Sequence, residues 1–210
     1  MISIFPDFSF LNLIWTILAG ILFGLAALVF SWSKIGFTKL FNFIPTPYLR
    51  PFIGGIILLG IVLLIGNTKY LGLGIPIISD SFLNHQTNYD FIIKLLLTAF
   101  TLGAGFKGGE ATPLFFIGAT LGNILIWFIP LPMALLAGLG FISVFGAATN
   151  TPIACVFMGI ELFGIEGAVY YTFACASAFI ISGRTSVYAT QQPLLKKFSY
   201  KSLLKTTREK

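Results

Sequence analysis

Residues 103–123 read GAGFKGGEATPLFFIGATLGN, a glycine-rich break carrying a lysine and a glutamate that opens straight into an apolar run. Gly103, Gly105, Gly108 and Gly109 let the backbone leave helical geometry and present its N–H groups to a ligand. Pro113 sits where a first helical turn tolerates proline, and Thr112 before it is the expected N-cap. The run from Leu114 to Ile129 carries small residues at Gly118, Ala119 and Gly122, a spacing that suits close helix packing in a bilayer. A helix N-terminus therefore points at the break. Its unpaired N–H groups carry partial positive charge, so the guest expected there is an anion.

The rest of the chain makes a bilayer its setting. Of 210 residues, 57% are hydrophobic and 10% charged, and the mean hydropathy is +0.94. Those values exclude an ordinary soluble domain and predict an all-α, polytopic membrane protein. The net charge of +6 does not indicate nucleic acid, because many of the basic residues crowd the last fifteen positions. Residues 1–195 are expected to form the membrane domain, and residues 196–210 a basic tail placed in the cytoplasm by the positive-inside rule. Cys155 and Cys175 lie in apolar runs and read as small core residues. The single histidine, His85, cannot form a metal site alone. No cofactor is expected.

Residues 8–33 carry no charge, a run of about 26 against the ~20 needed to cross a bilayer. This predicts a long tilted helix continuing through Lys34 and Lys39, with Gly20 and Gly24 packing against another helix of the same fold. Residues 52–67 read as a second span. The polar loop from Asp80 to Asp90 is expected in water, with His85 solvated, and Lys94 near the start of the next helix is expected to snorkel to the interface. Between Glu110 and Glu161 about fifty residues carry no charge, too many for one span, and Pro130, Pro132 and Pro152 cut them into shorter helices. Ala174, Ala176, Ser177 and Ala178 give the last span a small-residue face for a partner helix. The N-terminus lacks the basic region of a signal peptide and is expected to remain as a membrane span.

The stretch GFKGGEATPLFFIGATLG resembles the second anion-filter motif of the chloride-channel (CLC) family of anion channels and proton-coupled antiporters, whose commoner form reads GGIFAP. A glutamate and a threonine at positions 110 and 112 resemble the fluoride-transporting branch. YLGLGIPII, residues 70–78, resembles the family's GSGIP segment of the first half, the echo an internal inverted repeat leaves, and is expected to be a turn with a re-entrant tip. AATNTPIACVFMGIELFG, residues 147–164, resembles the segment in which a polar break with proline opens a helix that ends in a glutamate. GIEGA at Glu166 lacks the proline and the position of the family's GxEGP gating motif and is not that motif. Tyr188 stands where the family places a tyrosine hydroxyl on the central anion.

The resemblance covers positions from about Phe10 to Lys197 and only the second half of the family's fold, a half of an inverted-repeat architecture with broken and re-entrant helices. It implies transmembrane transport of fluoride or chloride, coupled to protons in the antiporter branch, and an anion site at Gly109, Glu110, Ala111, Thr112 and Tyr188. It also implies a multi-pass protein of the cell membrane and, for the full-length form, a homodimer whose interface involves residues 151–164 and 167–182. The reading that follows is a truncated or split half needing its first half. The alternatives are an intact half-sized subunit that self-assembles, and a non-transporting assembly subunit or inactive remnant. No residue with recognisable spacing accompanies Glu110 as a catalytic partner, so an enzyme is not expected.

Glu110 poses the physical problem. A carboxylate about 4 Å from an anion costs ~4 kcal/mol at an effective dielectric of ~20. It must be protonated for part of a transport cycle, or hold its charge toward a donor such as a backbone N–H or Lys107.

Overall fold

The structure is a computed structural model that describes Pro6, residues 9–183 and residues 186–188. The basic tail expected at 196–210 lies outside the described residues. Among the described residues eight α-helices follow one another: α1 (Phe10–Asn42), α2 (Leu49–Ile65), α3 (Ile75–Asp80), α4 (Asp90–Gly103), α5 (Ala111–Ile124), α6 (Met133–Thr149), α7 (Pro152–Phe163) and α8 (Ala168–Ile181). Short 3₁₀ turns at Leu125–Trp127 and Ile165–Gly167 join α5 to the α6 connection and α7 to α8. Among the described residues there is no strand.

The long helix α1 runs 33 residues with a mean hydropathy of 2.5 in its most apolar window, long enough to cross a membrane at a tilt. The remaining apolar helices run 17 residues or fewer, the broken pieces that the prolines predict. Pro132 precedes α6, and Pro152 opens α7 directly after Asn150 ends α6 in the left-handed conformation, which asparagine tolerates.

Helix α6 is apolar on every side and buried over most of its length, which makes it the central element. It meets α5 almost backbone to backbone. A Cβ on Gly118 would fall 2.1 Å from the Gly140 carbonyl oxygen, and one on Gly122 2.1 Å from that of Leu136. The glycine pair in α1 does the same against α8, where Gly20 lies on Ala174 and Ser177 and Gly24 on Ala178. The small-residue faces of α1 and α8 are therefore partners within one fold. Helix α2 differs, with Gly54 its sole buried residue and Phe52, Leu59, Leu63 and Leu64 exposed.

Two expectations about charge are corrected. Asp90 is not in water; it is fully buried at the start of α4, where it accepts from Lys69 Nζ at 2.5 Å, Tyr70 Oη at 2.7 Å and the Thr87 N–H at 3.2 Å. Lys94 does not snorkel. It is 2% exposed, and its Nζ donates to the Tyr70 and Gly72 carbonyls at 2.8 and 2.7 Å, because the loop ahead of α3 folds over it with unpaired carbonyls. The rest of the 80–90 loop is exposed in part but tethered. Buried Asn123 donates to the Ser81 and Asn84 carbonyls and accepts from the Gln86 N–H, and His85 stacks on Trp127 with ring centroids 5.3 Å apart.

Candidate functional site

The four glycines of the 103–109 break serve three different ends. Gly103 closes α4, where a Cβ would meet that of Phe37 at 2.4 Å, so its lack of a side chain allows α1 and α4 to touch. Gly105 adopts φ +95°, which turns the chain out of α4. Gly108 and Gly109 need neither a left-handed backbone nor a close neighbour, since a Cβ on either would meet nothing within 4 Å. Both are exposed, on the segment that leads into α5.

The helix begins two residues earlier than its sequence suggests. Glu110, not Thr112, occupies the N-cap position, with helical φ and ψ and no side-chain capping bond, and Thr112 and Pro113 sit inside the first turn. Proline is accepted there because the N–H it lacks would be unpaired anyway. The first helical bond of α5 runs from the Leu114 N–H to the Glu110 carbonyl at 3.2 Å. The N–H groups of Ala111 and Thr112 thus stand ahead of it, at the positive end of the helix.

Glu110 is held by a cation that the sequence reading passes over. Its Oε1 pairs with Lys34 Nζ from the C-terminal part of α1, the two side chains being 13% and 22% exposed. The same Nζ donates to the Val187 carbonyl at 3.0 Å, and the Val187 N–H donates to the Ala148 carbonyl at the end of α6, also at 3.0 Å. Lys34 therefore ties α1, the start of α5 and the 186–188 segment together. Lys107, expected as a donor to Glu110, is not its partner. Glu110 Oε2 is buried and has no hydrogen-bond partner among the described residues, an acceptor left open beside the α5 N-terminus.

Of the expected site residues, Gly109, Glu110, Ala111 and Thr112 are contiguous around this N-terminus. Tyr188 follows directly on Val187 and is 44% exposed, in a non-helical bend. Phe115 and Phe116 are packing residues. Phe115 stacks on Phe141 with centroids 4.0 Å apart, and Phe116 is fully buried, while Phe106 is exposed and lines the pocket beside Gly108 and Gly109. Glu161 is exposed in the last turn of α7, and Glu166 lies in the turn between α7 and α8, away from this site. The sequence signals that Glu110 needs a partner, because a glutamate in an apolar chain requires a counter-charge, though not that the partner is Lys34.

The family model described as voltage gated chloride channel matches residues 2–183. The chain belongs to the voltage gated chloride channel family. A chloride/fluoride channel protein of Pseudomonas syringae pv. tomato is 44% identical over 193 residues, covering 85% of this chain and 42% of that protein. An uncharacterized protein of Methanocaldococcus jannaschii is 30% identical over 144 residues, covering 66% of this chain and 35% of that protein. Among solved structures, a CLC-type fluoride/proton antiporter matches with a TM-score of 0.87 and 36% identity, over 91% of this chain and 49% of that one. A slow cyanobacterial Cl⁻/H⁺ antiporter shares the fold, with a TM-score of 0.61 and 21% identity over 99% of this chain and 51% of that one. The chain thus spans about half the length, or less, of these relatives, and its all-α fold is that of a polytopic membrane protein.

Proposed function

We propose that this chain supplies one half of a transmembrane pathway for fluoride or chloride, with the anion received at the N-terminus of α5. The observation that carries the reading is the Glu110 carboxylate, fixed through one oxygen by Lys34 and open at the other, beside Ala111 and Thr112 and the bare Gly108–Gly109 segment. The Ala111 and Thr112 N–H groups, the Thr112 hydroxyl and the Tyr188 hydroxyl would replace the water shell of the ion. Fluoride is small and strongly hydrated, and a site for it needs a dense set of donors. Lys34 resolves the repulsion between Glu110 and an anion, because the pair brings no net charge to the site. The open Oε2 is the atom on which a proton would reside if transport here is proton-coupled, as in the CLC-type fluoride/proton antiporter.

The pathway belongs to an assembly that also contains the region equivalent to the rest of the longer relatives, in the cell membrane, with the basic tail in the cytoplasm. Pairing of two such assemblies through α7 fits the exposed Ile153, Phe157 and Leu162 on that helix. The test is fluoride and chloride efflux from liposomes containing the protein together with that complementary region. Glu110→Gln should lower the flux or alter its proton stoichiometry. Unchanged rate and stoichiometry would remove Glu110 from transport, and absent flux in the unsubstituted assembly would refute the reading as a whole.

A further inference from the structure

One side of α1 stays uncovered along its length. Leu18, Leu25, Val29, Trp32, Leu40 and, at the C-cap, Phe43 fall on that side, and all are exposed. Lys39 lies among them in the last turn and is the only charge there. The opposite side of the same turns is packed, since Phe37 and Phe41 both meet the Phe100 ring of α4, with centroids 5.4 and 5.3 Å apart. Helix α2 repeats the pattern. Phe52, Ile56, Leu59 and Leu63 share one exposed face. Two apolar faces therefore run up to the corner between α1 and α2.

That corner is held in a defined shape. The Ile44 N–H donates to the Phe41 carbonyl at 3.0 Å and the Leu49 N–H to the Thr46 carbonyl at 3.1 Å. Arg50 closes it, its Nε donating to the Ile44 carbonyl at 3.0 Å and its Nη1 to Asn42 Oδ1 at 2.7 Å. The frame displays Phe43 and Tyr48, 85% and 89% exposed. Lys39 lies one helical turn below Phe43, and Arg50 bonds to the residues on either side of it. Both cations lack an acid. The sequence has none between Asp7 and Asp80, and Glu110, the carboxylate that reaches α1, is committed to Lys34. Among the described residues neither Lys39 nor Arg50 has an ion-pair partner.

Aliphatic faces that end in aromatic side chains and unanswered cations follow the order of a membrane leaflet, acyl chains and then headgroups. A leaflet with acidic lipids supplies phosphates to the two cations while the Lys39 stem stays on apolar surface. A protein partner would have to bury the same cations against acids of its own. We propose that the α1–α2 corner is a docking surface for acidic phospholipid headgroups, with Lys39 and Arg50 taking the phosphates and Phe43 and Tyr48 seated at headgroup level. This surface lies apart from Glu110 and does not rest on the transport reading.

Trp32 is a built-in reporter, seven residues or about 10 Å below Lys39 along the helix, at the depth of the acyl chains. The full chain is reconstituted in phosphatidylcholine vesicles in which a minor fraction of lipid is brominated high on its acyl chains, as phosphatidylglycerol or as phosphatidylcholine. The quenching that Trp32→Phe removes is the part due to Trp32. At equal fractions, brominated phosphatidylglycerol should quench Trp32 more, through a local enrichment of about fivefold for each cation that fades at high salt. Lys39→Gln, an exposed substitution, should lower the enrichment about fivefold, and Lys39→Arg should retain it. Three results would each overturn the proposal: equal quenching by the two lipids, enrichment unchanged in Lys39→Gln, or a Trp32 that neither lipid quenches, as when a second copy of the chain covers this face.

Discussion

The molecule breaks its helices twice in the same way and uses the two breaks differently. Ahead of α3, Gly66, Gly72 and Gly74 all take left-handed backbones, and the proline of Ile75–Asp80 falls in the first turn, as Pro113 does in α5. That loop is filled and tied: Phe116 packs against Gly74, Lys94 holds the Tyr70 and Gly72 carbonyls, and Asp90 collects Lys69 and Tyr70. Ahead of α5 a single glycine, Gly105, needs a left-handed backbone, while Gly108 and Gly109 face open space and Glu110 keeps one oxygen unpaired. A glycine in the first loop serves geometry. In the second loop two glycines serve access, and sequence alone does not tell these uses apart.

Substitutions should separate the two loops by their effect on stability. The largest effect is expected for Asp90→Asn. Asp90 is fully buried with three donors aimed at it, and breaking a buried pair while leaving Lys69 unanswered costs roughly 3–5 kcal/mol. Thermal melting of the detergent-solubilised chain measures it. A variant that melts with the unsubstituted chain would mean that the first loop is not tied through Asp90. Next comes Gly74→Ala, with φ +72° and a Cβ 2.6 Å from the buried Phe116 ring, for a loss of about 2 kcal/mol. Its counterpart Gly109→Ala should stay within ~0.5 kcal/mol, since nothing lies within 4 Å of the added carbon. Equal losses from the two alanine variants would erase the distinction between the loops.

Glu110→Gln is the corresponding test in the second loop. The amide oxygen of glutamine still accepts from Lys34, and Lys34 keeps the Val187 carbonyl, so the expected loss is about 1 kcal/mol. A loss comparable to that of Asp90→Asn would show Glu110 to be a structural tie like Asp90, not a group left available for an ion.

Much of this is legible in the sequence, for identifiable reasons. Glycine and proline punctuation places the breaks, the uncharged runs give the spans, and the small residues at 20, 24, 118 and 122 mark the close contacts, because each of these signals is local. The first turn of α5 is misplaced by two residues, since proline is equally acceptable at several positions where the N–H is unpaired. The partners of the charges are not legible. Lys34 meets Glu110 across 76 positions and Lys69 meets Asp90 across 21, and nothing in the spacing of single charges along apolar helices says which pairs fold together. Lys94 is misread for the same reason, as an isolated lysine near a helix start looks the same whether it reaches water or is covered by a loop.

The smallest effect is expected outside the spanning helices, where the end of α3 meets the polar loop that separates the two breaks in sequence. Asp80 accepts from Asn84 Nδ2 and Gln86 Nε2, both at 2.6 Å, and these hydrogen bonds, with a lesser attraction from Lys69, hold its carboxyl below the ordinary value. A carboxyl whose folded value is depressed contributes stability above the ordinary carboxylate range and loses it as the pH falls through that range toward the lower folded value. The contribution is small because the group is solvent-exposed. Melting temperatures followed from neutral to acidic pH should therefore fall slightly more steeply for the unsubstituted chain than for Asp80→Asn. Identical slopes would place the whole tether of the 80–90 loop on Asn123, which grips it from below through the Ser81 and Asn84 carbonyls and does not titrate. The first break would then be tied at one end by the charges around Asp90 and at the other by a neutral amide.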